Sequence, residues 1–474
     1  MPIILFALLA VIGSLSAASR PNIVVFISDD LGLRETAVYG SPEVRTPNLE
    51  RLAAGGLTFD HAYVASPSCC PNRYSFLTGL MPARHGAHPN HSLPKPGTTF
   101  LLPILQKLGY HVASFGKVAH GRARTPGIDH LSPPPRDMSR NVRQHFAGRR
   151  DGQPVCLLVG DRRPHVPWIK ESGYDPAQIK LPPYFIDTPE TRDHWARYLT
   201  DITGMDEELG RIIDFAEERF GKNFIFLFTS DHGGQWPMSK WNLYDAGTRI
   251  PLIVSWPGRI AQGRRTNAMV SWVDLLPTLI EFAGGTVPAG IDGRSFAGVA
   301  LGQSTRHREM IFTTHTGDGA MNIFPIRSVR IGNYKLIHNL RPDCWFTNHS
   351  DRHRKDGAGA FWDSWDAAAK TDPRAAEIIR RYYTRPEFEF FDLAKDPLEL
   401  TNIVDQPERA ARVGQYKREL DRWTRSQGDD LAPHRDPYPR SEPLPEFPAP
   451  DRPQNLKQRK RLTNPSTQRG AEAG

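Results

Sequence analysis

Between Ser66 and Gly86, Cys69 stands two residues before Pro71 and four before Arg73, and Leu77-Thr78-Gly79 follows. Pro71 suits the first turn of a helix, where its missing N–H would have no partner in any case. That puts Cys69 at or just before a helix N-terminus, where free N–H groups and the macrodipole favour an anion. Arg73, about one turn on, adds a fixed positive charge. Other chemistry-bearing groups follow apolar runs. Asp29-Asp30 closes Asn22 to Ser28, and Asp231-His232 closes the run Phe224 to Phe228, with Lys240 downstream. Lys117 and His120 follow Tyr110 to Ser114, and His165 follows Val155 to Val159. Adjacent carboxylates at the end of a buried strand repel, and a hard cation relieves that repulsion. Singly each group has an ordinary alternative: a Cys-Cys pair in a helix cap, solvated aspartates in a turn, loop histidines. Together their charges suit one cation and one anionic ester.

The elements that must position these groups read as an α/β fold. Short continuous apolar runs are expected for strands buried on both faces of a parallel sheet. They alternate with helical patterns: Thr46 capping a helix with Pro47 at its first position, a short helix around Ile104 and Leu105 ending near Gly109, and one around Val273 to Ala283. Tyr198, Ile202, Met205, Leu209 and Ile212 recur at helical spacing and are read as core packing. In such folds ligands sit outside the carboxyl ends of the strands, where all the candidates fall. From about Met310 the texture changes. Ile326 to Ile331 and Tyr334 to Ile337 read as strands joined at Gly332-Asn333. Glu389 to Leu393 is another short run, and a helix carrying Val413, Tyr416, Leu420 and Trp423 is expected to pack back on the sheet.

The chain has 474 residues, 39% of them hydrophobic, with 10 Trp, 23 Phe and 13 Tyr, which describes a globular protein. A net charge of +8 favours acidic partners, nucleic acid or sulfated polysaccharide, without choosing between them. Four cysteines exclude a disulfide scaffold, and none has zinc-ligand spacing. Ile3 to Leu15 is too short to span a bilayer comfortably and precedes the small residues Ser16-Ala17-Ala18, which predicts an export signal over residues 1–18 despite the missing positive start. No other stretch is long and apolar enough to cross a membrane. Beyond about Leu431 the chain is Pro-rich with a basic run, Lys457 to Arg461, and reads as a disordered, solvated tail. The expected organisation is a signal peptide (1–18), a catalytic domain (19–309), a C-terminal subdomain (310–430) and the tail (431–474).

Cys69, Pro71, Arg73 and Leu77-Thr78-Gly79 resemble the signature of type I sulfatases, in which the cysteine is oxidised to formylglycine by a maturation enzyme. Asp29, Asp30, Lys117, His120, His165, Asp231, His232 and Lys240 match that family's other motifs in order, from about Pro21 to about Gln427. The resemblance implies an alkaline phosphatase-like fold, with a large mixed, mostly parallel sheet and a smaller antiparallel C-terminal subdomain. It implies that Asp29, Asp30, Asp231, His232 and the formylglycine derived from Cys69 bind one Ca²⁺ ion. The hydrated aldehyde attacks sulfur through one hydroxyl; loss of the second hydroxyl's proton then expels sulfate. Arg73 and Lys117 stabilise the diol and sulfate oxygens. His120 assists the diol, while His165 and Lys240 bind sulfate and help protonate the leaving group. Three features depart from the family: Asn72 replaces Ser or Ala, the Lys117–His120 spacing is one residue longer than usual, and Cys70 adjoins the nucleophile.

Phe324 to Arg330, Tyr334 to Leu340, Tyr382-Tyr383, Phe391-Asp392, Asp396-Pro397 and Asn402 resemble the C-terminal part of heparan N-sulfatases (sulfamidases). Asp231-His232, Lys240, Gly116 to His120 and Pro164 to Pro167 lean instead toward O-sulfatases of the iduronate type. The expected function is hydrolysis of a sulfated saccharide, N-sulfoglucosamine-like, by an exported enzyme of glycosaminoglycan degradation that engages no nucleic acid. The alternatives are an iduronate- or aryl-sulfatase-like enzyme, an inactive glycosaminoglycan-binding homologue, and a two-metal phosphatase or phosphonate hydrolase of the wider fold, which would use Ser or Thr as nucleophile.

Overall fold

The computed structural model describes residues 20–119, 125–132, 137–149, 152–354 and 358–444. The predicted export signal, His120 and the basic run Lys457 to Arg461 lie outside the described residues. An eight-stranded sheet organises the fold, in the spatial order 264–266, 57–59, 252–255, 224–230, 22–28, 155–160, 111–116, 130–132. Only Leu252–Ser255 runs antiparallel to its neighbours, so the sheet is mixed and mostly parallel. Asn22–Ser28 lies at its centre, paired in parallel register with Phe224–Ser230 and Val155–Gly160.

The sequence dictates the central strands because both faces of the sheet are covered. Side chains alternate across a strand, and Val24 and Phe26 enter one core while Ile23, Val25 and Ile27 enter the other. The first core is closed by the helix Pro189–Phe220, whose predicted stripe of Tyr198, Ile202, Met205, Leu209 and Ile212 is buried as expected. The second holds the helix Cys69–Thr78, through Cys70, Tyr74, Phe76 and Leu77, together with Leu101–Lys107 and Leu275–Phe282. The helix at Pro47–Ala54 begins where predicted, but its capping differs. Thr46 makes no side-chain cap; its hydroxyl accepts the Ala37 N–H instead. The carboxylate of Asp206 takes over, accepting the N–H groups of Asn48 and Leu49 at 3.0 and 2.8 Å.

The C-terminal part forms a separate four-stranded antiparallel sheet, in the order 310–315, 326–331, 334–339, 388–392. Gly332, with φ +57°, makes the predicted turn. The helix Ala410–Gln427 covers this sheet, packing Val413, Tyr416 and Leu420 on Val329, Leu336 and Phe390. This sheet also braces the loop after Phe224–Ser230. Lys335 and Arg330 reach Asp245 at 2.6 and 2.9 Å, and Arg385 donates to Asn242 and Tyr244. Residues 231–245 are all buried, and a buried loop must pair its backbone groups. The Trp241 N–H accordingly bonds to the Pro67 carbonyl and the Lys240 N–H to that of Gly234.

Candidate active site

Four adjacent parallel strands deliver their next residues to one place. Asp29-Asp30 follow Asn22–Ser28, Lys117 follows His111–Gly116, His165 lies beyond Val155–Gly160, and Asp231-His232 follow Phe224–Ser230. Gly116 and Gly160 allow the chain to leave two of these strands side by side. A Cβ on Gly160 would stand 2.0 Å from the Lys117 carbonyl oxygen, and one on Gly116, with φ +76°, 2.2 Å from that of Gly160. The helix carrying the cysteine starts at Cys69, as its spacing predicts, and Gly79 ends it in the left-handed conformation with φ +66°. Every residue of this helix is buried.

The Cys69 sulfur is the meeting point. Lys117 Nζ and His232 Nε2 both lie 3.3 Å from it, and Asp29 Oδ1 lies at 3.8 Å. Lys117 donates to both oxygens of Asp29, at 2.6 and 2.8 Å. Arg73 forks between Asp29 Oδ1 at 3.0 Å and Asp231 Oδ2 at 2.9 Å, and also donates to the Lys117 carbonyl. Lys240 Nζ holds both oxygens of Asp30, at 2.8 and 2.9 Å. The Asp30 carbonyl accepts the Tyr198 hydroxyl, and its N–H donates to Asp231 Oδ1. Asp30 has φ +70°, a costly conformation for a non-glycine residue that persists where surroundings over-determine it. His165 Nε2 is 3.9 Å from Asp30 Oδ2, and its Nδ1 faces the Val166 carbonyl at 2.6 Å. His232 Nδ1 faces the Gly233 carbonyl at 3.0 Å, which assigns the proton to Nδ1 and leaves the Nε2 lone pair toward the sulfur.

Burial and charge compete at each group. Burial raises Asp29, but Lys117 and Arg73 overcome it and hold this carboxyl well below its ordinary value. Asp30 is likewise held low, against burial, mainly by Lys240. Asp231 is raised by burial, which Arg73 offsets only in part. Burial pushes the Cys69 thiol up to about 12 against the pull of Lys117 and Lys240, so the unmodified side chain is neutral near pH 7 and a weak nucleophile. Burial pushes His165 down to about 4 and also lowers His232, leaving both imidazoles neutral at that pH. Lys240 is raised, its burial outweighed by Asp30.

Ligand atoms of Asp30, Cys69, Asp231 and His232 lie within 4.8 Å of one another. Two carboxylates and an imidazole nitrogen around one point suit a hard divalent cation. Asp29 stands just outside this group, engaged by Lys117 and Arg73. Asn72 acquires a meaning that its sequence position did not give. Its Oδ1 accepts the Ala65 N–H at 2.9 Å, and its Nδ2 donates to the Asp231 carbonyl at 2.5 Å. The sequence reading also missed Tyr198 as a support for Asp30. Cys70 faces the Ser92 carbonyl, 2.9 Å away, and all four cysteines are free and buried. Among the described residues no helix is long and apolar enough to cross a membrane.

A sulfatase family profile matches residues 21–124 and 136–285, which contain every one of these groups. The chain belongs to the sulfatase family. A second profile, described as the C-terminal region of N-sulphoglucosamine sulphohydrolase, matches residues 234–354. Among curated relatives, an ulvan-active sulfatase of Formosa agariphila is 25% identical, covering 88% of this chain and 83% of that protein. Human N-sulphoglucosamine sulphohydrolase is 26% identical, covering 88% and 92% respectively. A structure solved with its substrate D-glucosamine-2-N,6-O-disulfate superposes with a TM-score of 0.67 at 19% identity, covering 87% of this chain and 99% of that one. The phosphonate monoester hydrolase of Agrobacterium radiobacter gives 0.68 at 17%, covering 86% and 96%. These two likenesses establish the fold, the alkaline phosphatase-like architecture expected from the sequence. The family establishes that the chain is a sulfatase.

Proposed function

We propose that this sulfatase removes sulfate from a sulfated saccharide of the N-sulfoglucosamine type, using formylglycine derived from Cys69. One observation carries the reading: the Cys69 sulfur lies 3.3 Å from both Lys117 Nζ and His232 Nε2, inside a ring of carboxylates where burial raises its thiol. A thiol so placed is poorly suited to attack as a thiolate. Once oxidised and hydrated, the side chain supplies a hydroxyl nucleophile for sulfur. Asp30, Asp231 and His232, with Asp29 beside them, would hold a Ca²⁺ ion, which supplies Lewis-acid stabilisation of oxygen anions.

The chain's own groups take the remaining roles. Arg73, fixed between two aspartates, orients the nucleophile helix against them. Lys117 reaches from Asp29 to position 69 and offers a donor to sulfate oxygens. Lys240, bound to Asp30, is a second cation for sulfate. His165, neutral near pH 7, is poised beside Asp30 to exchange a proton with the leaving group, and His120 is assigned to the nucleophile by family resemblance. The choice of N-sulfate is supported by the C-terminal profile and by the human relative. Lys240 and His232 favour O-sulfate as the second reading.

Sulfate and phosphate release from matched esters, and from glucosamine carrying either an N- or an O-sulfate, tests this. Sulfate release from the N-sulfated sugar, lost in Cys69→Ala with its fold retained, is expected. Preferential phosphate release, or full turnover by Cys69→Ala, would contradict it.

A further inference from the structure

Where the edge of the eight-stranded sheet meets the C-terminal sheet, a cleft of about 570 Å³ opens beside the strand 264–266 and the turn at Gly332-Asn333. That volume falls within the range of small-molecule sites, about 300–1,000 Å³. His61, Asn267, Arg306, Arg308, Glu309 and Arg330 line it, and none of them is among the groups gathered at Cys69.

Each arginine keeps donors free. Arg330, only 5% exposed, donates through Nη1 to Asp245 at 2.9 Å and through Nε to the Gly332 carbonyl at 3.0 Å; its Nη2 has no hydrogen-bond partner among the described residues. Arg308 commits Nε and Nη2 to Asp274 and the Asp292 carbonyl, and its Nη1 is likewise left over. Arg306 is exposed and, among the described residues, engages its surroundings through its backbone alone. Free guanidinium edges suit a tetrahedral oxyanion, which accepts two parallel N–H bonds.

The charge balance agrees. Three guanidinium groups stand against one carboxylate in the lining, that of Glu309, while Asp245 and Asp274 balance two of them from behind. Burial pushes the His61 imidazole down to about 4, and Arg249 and Arg330 press it in the same direction more strongly than Asp245 and Asp60 resist. The cations at Cys69 account for one sulfate. A separate cationic cleft fits a ligand that carries more than one anionic group.

We propose that this cleft is a second, non-catalytic sulfate site, in which Arg306, Arg308 and Arg330 hold a sulfate ester elsewhere on a sulfated saccharide chain. This rests on the saccharide reading above and extends it from a single sugar to a chain. Inorganic sulfate offers the same oxygens, so the two sources are separated by experiment.

Calorimetry on Cys69→Ala protein, which the reading leaves without turnover, compares a heparin octasaccharide, glucosamine N-sulfate and inorganic sulfate. Adding Arg306→Glu should weaken octasaccharide binding at least about tenfold, because like charges across an interface are strongly disfavoured. Affinity for glucosamine N-sulfate should stay within about twofold. Asn267→Asp, which places a carboxylate in the lining and leaves the buried ion pairs of Arg308 and Arg330 intact, should act in the same direction, with thermal melting confirming the fold of both variants. Arg306→Lys should retain most of the chain affinity. Unchanged octasaccharide affinity in Arg306→Glu and Asn267→Asp, or equal losses for chain and single sugar, would overturn the site. An Arg306 effect confined to inorganic sulfate would overturn its assignment to a chain. Failure of the Cys69→Ala parent to bind either saccharide would instead overturn the substrate reading, and the second site with it.

Discussion

Replacing Asn72 by alanine should loosen the site from beneath. The side chain is fully buried and makes two hydrogen bonds, one from the Ala65 N–H and one to the Asp231 carbonyl. Truncation leaves both backbone groups buried without that partner. Each such loss costs about 1–3 kcal/mol, so the pair is worth roughly 2–6 kcal/mol. For a chain of 474 residues, with an unfolding entropy of roughly 2.1 cal/mol/K per residue, that lowers Tm by several degrees, at about 1 °C per kcal/mol. Asp231 is also a candidate cation ligand, so the damage should extend to the stabilisation that added Ca²⁺ confers. Asn72→Ser, whose hydroxyl sits too near the backbone to span both partners, should fall between wild type and alanine. Differential scanning fluorimetry with and without Ca²⁺ reads both effects. A melting temperature and a Ca²⁺ shift that both match wild type would refute the bridging role.

Two further outcomes are expected. Chelation with EDTA should lower Tm, and Ca²⁺ at about a hundred times its Kd should restore roughly 2.7 kcal/mol; a melt insensitive to both would argue against a bound cation. Asp274 is buried and accepts from Arg308, His307 and the backbone of Ser271 and Arg294. Burial would raise it, but Arg308 holds it at about 2, below an ordinary value of 3.8. A carboxyl lowered by folding contributes stability above its unfolded pKa and loses it as pH falls through the folded one. Asp274→Asn should therefore cost about 2 kcal/mol at neutral pH and flatten the decline between pH 4 and 2, checked by urea melts across that range; an unaltered acid limb would contradict it.

Much of the site was legible because it hangs from the most legible elements. Strands buried on both faces write themselves as continuous apolar runs; Asp29, Lys117 and Asp231 follow three of these strands directly, and His165 lies in the loop after a fourth. The short strands Leu57–Phe59, Ala62–Tyr63 and Val270–Ser271 are too brief to show a period, and tertiary pairing alone defines them. The helices Met138–Phe146 and Pro373–Tyr383 bury only a few side chains each, so no long apolar stripe marks them in the sequence, although an aspartate caps the start of each. Thr46 illustrates the limit of local rules. Its spacing marks a cap, yet Asp206, far along the chain, provides the bonds. Asn72 illustrates the same limit at the site. In sequence it departs from a signature; in space it ties the nucleophile helix to a ligand loop 159 residues away.

The central claim is that Cys69 works as formylglycine, and the mass of the peptide containing it in active protein tests that most directly. A peptide lighter than the cysteine form, by the exchange of thiol for aldehyde, is the predicted result. A fully reduced, unmodified Cys69 in protein that turns over sulfate esters at full rate would contradict the account.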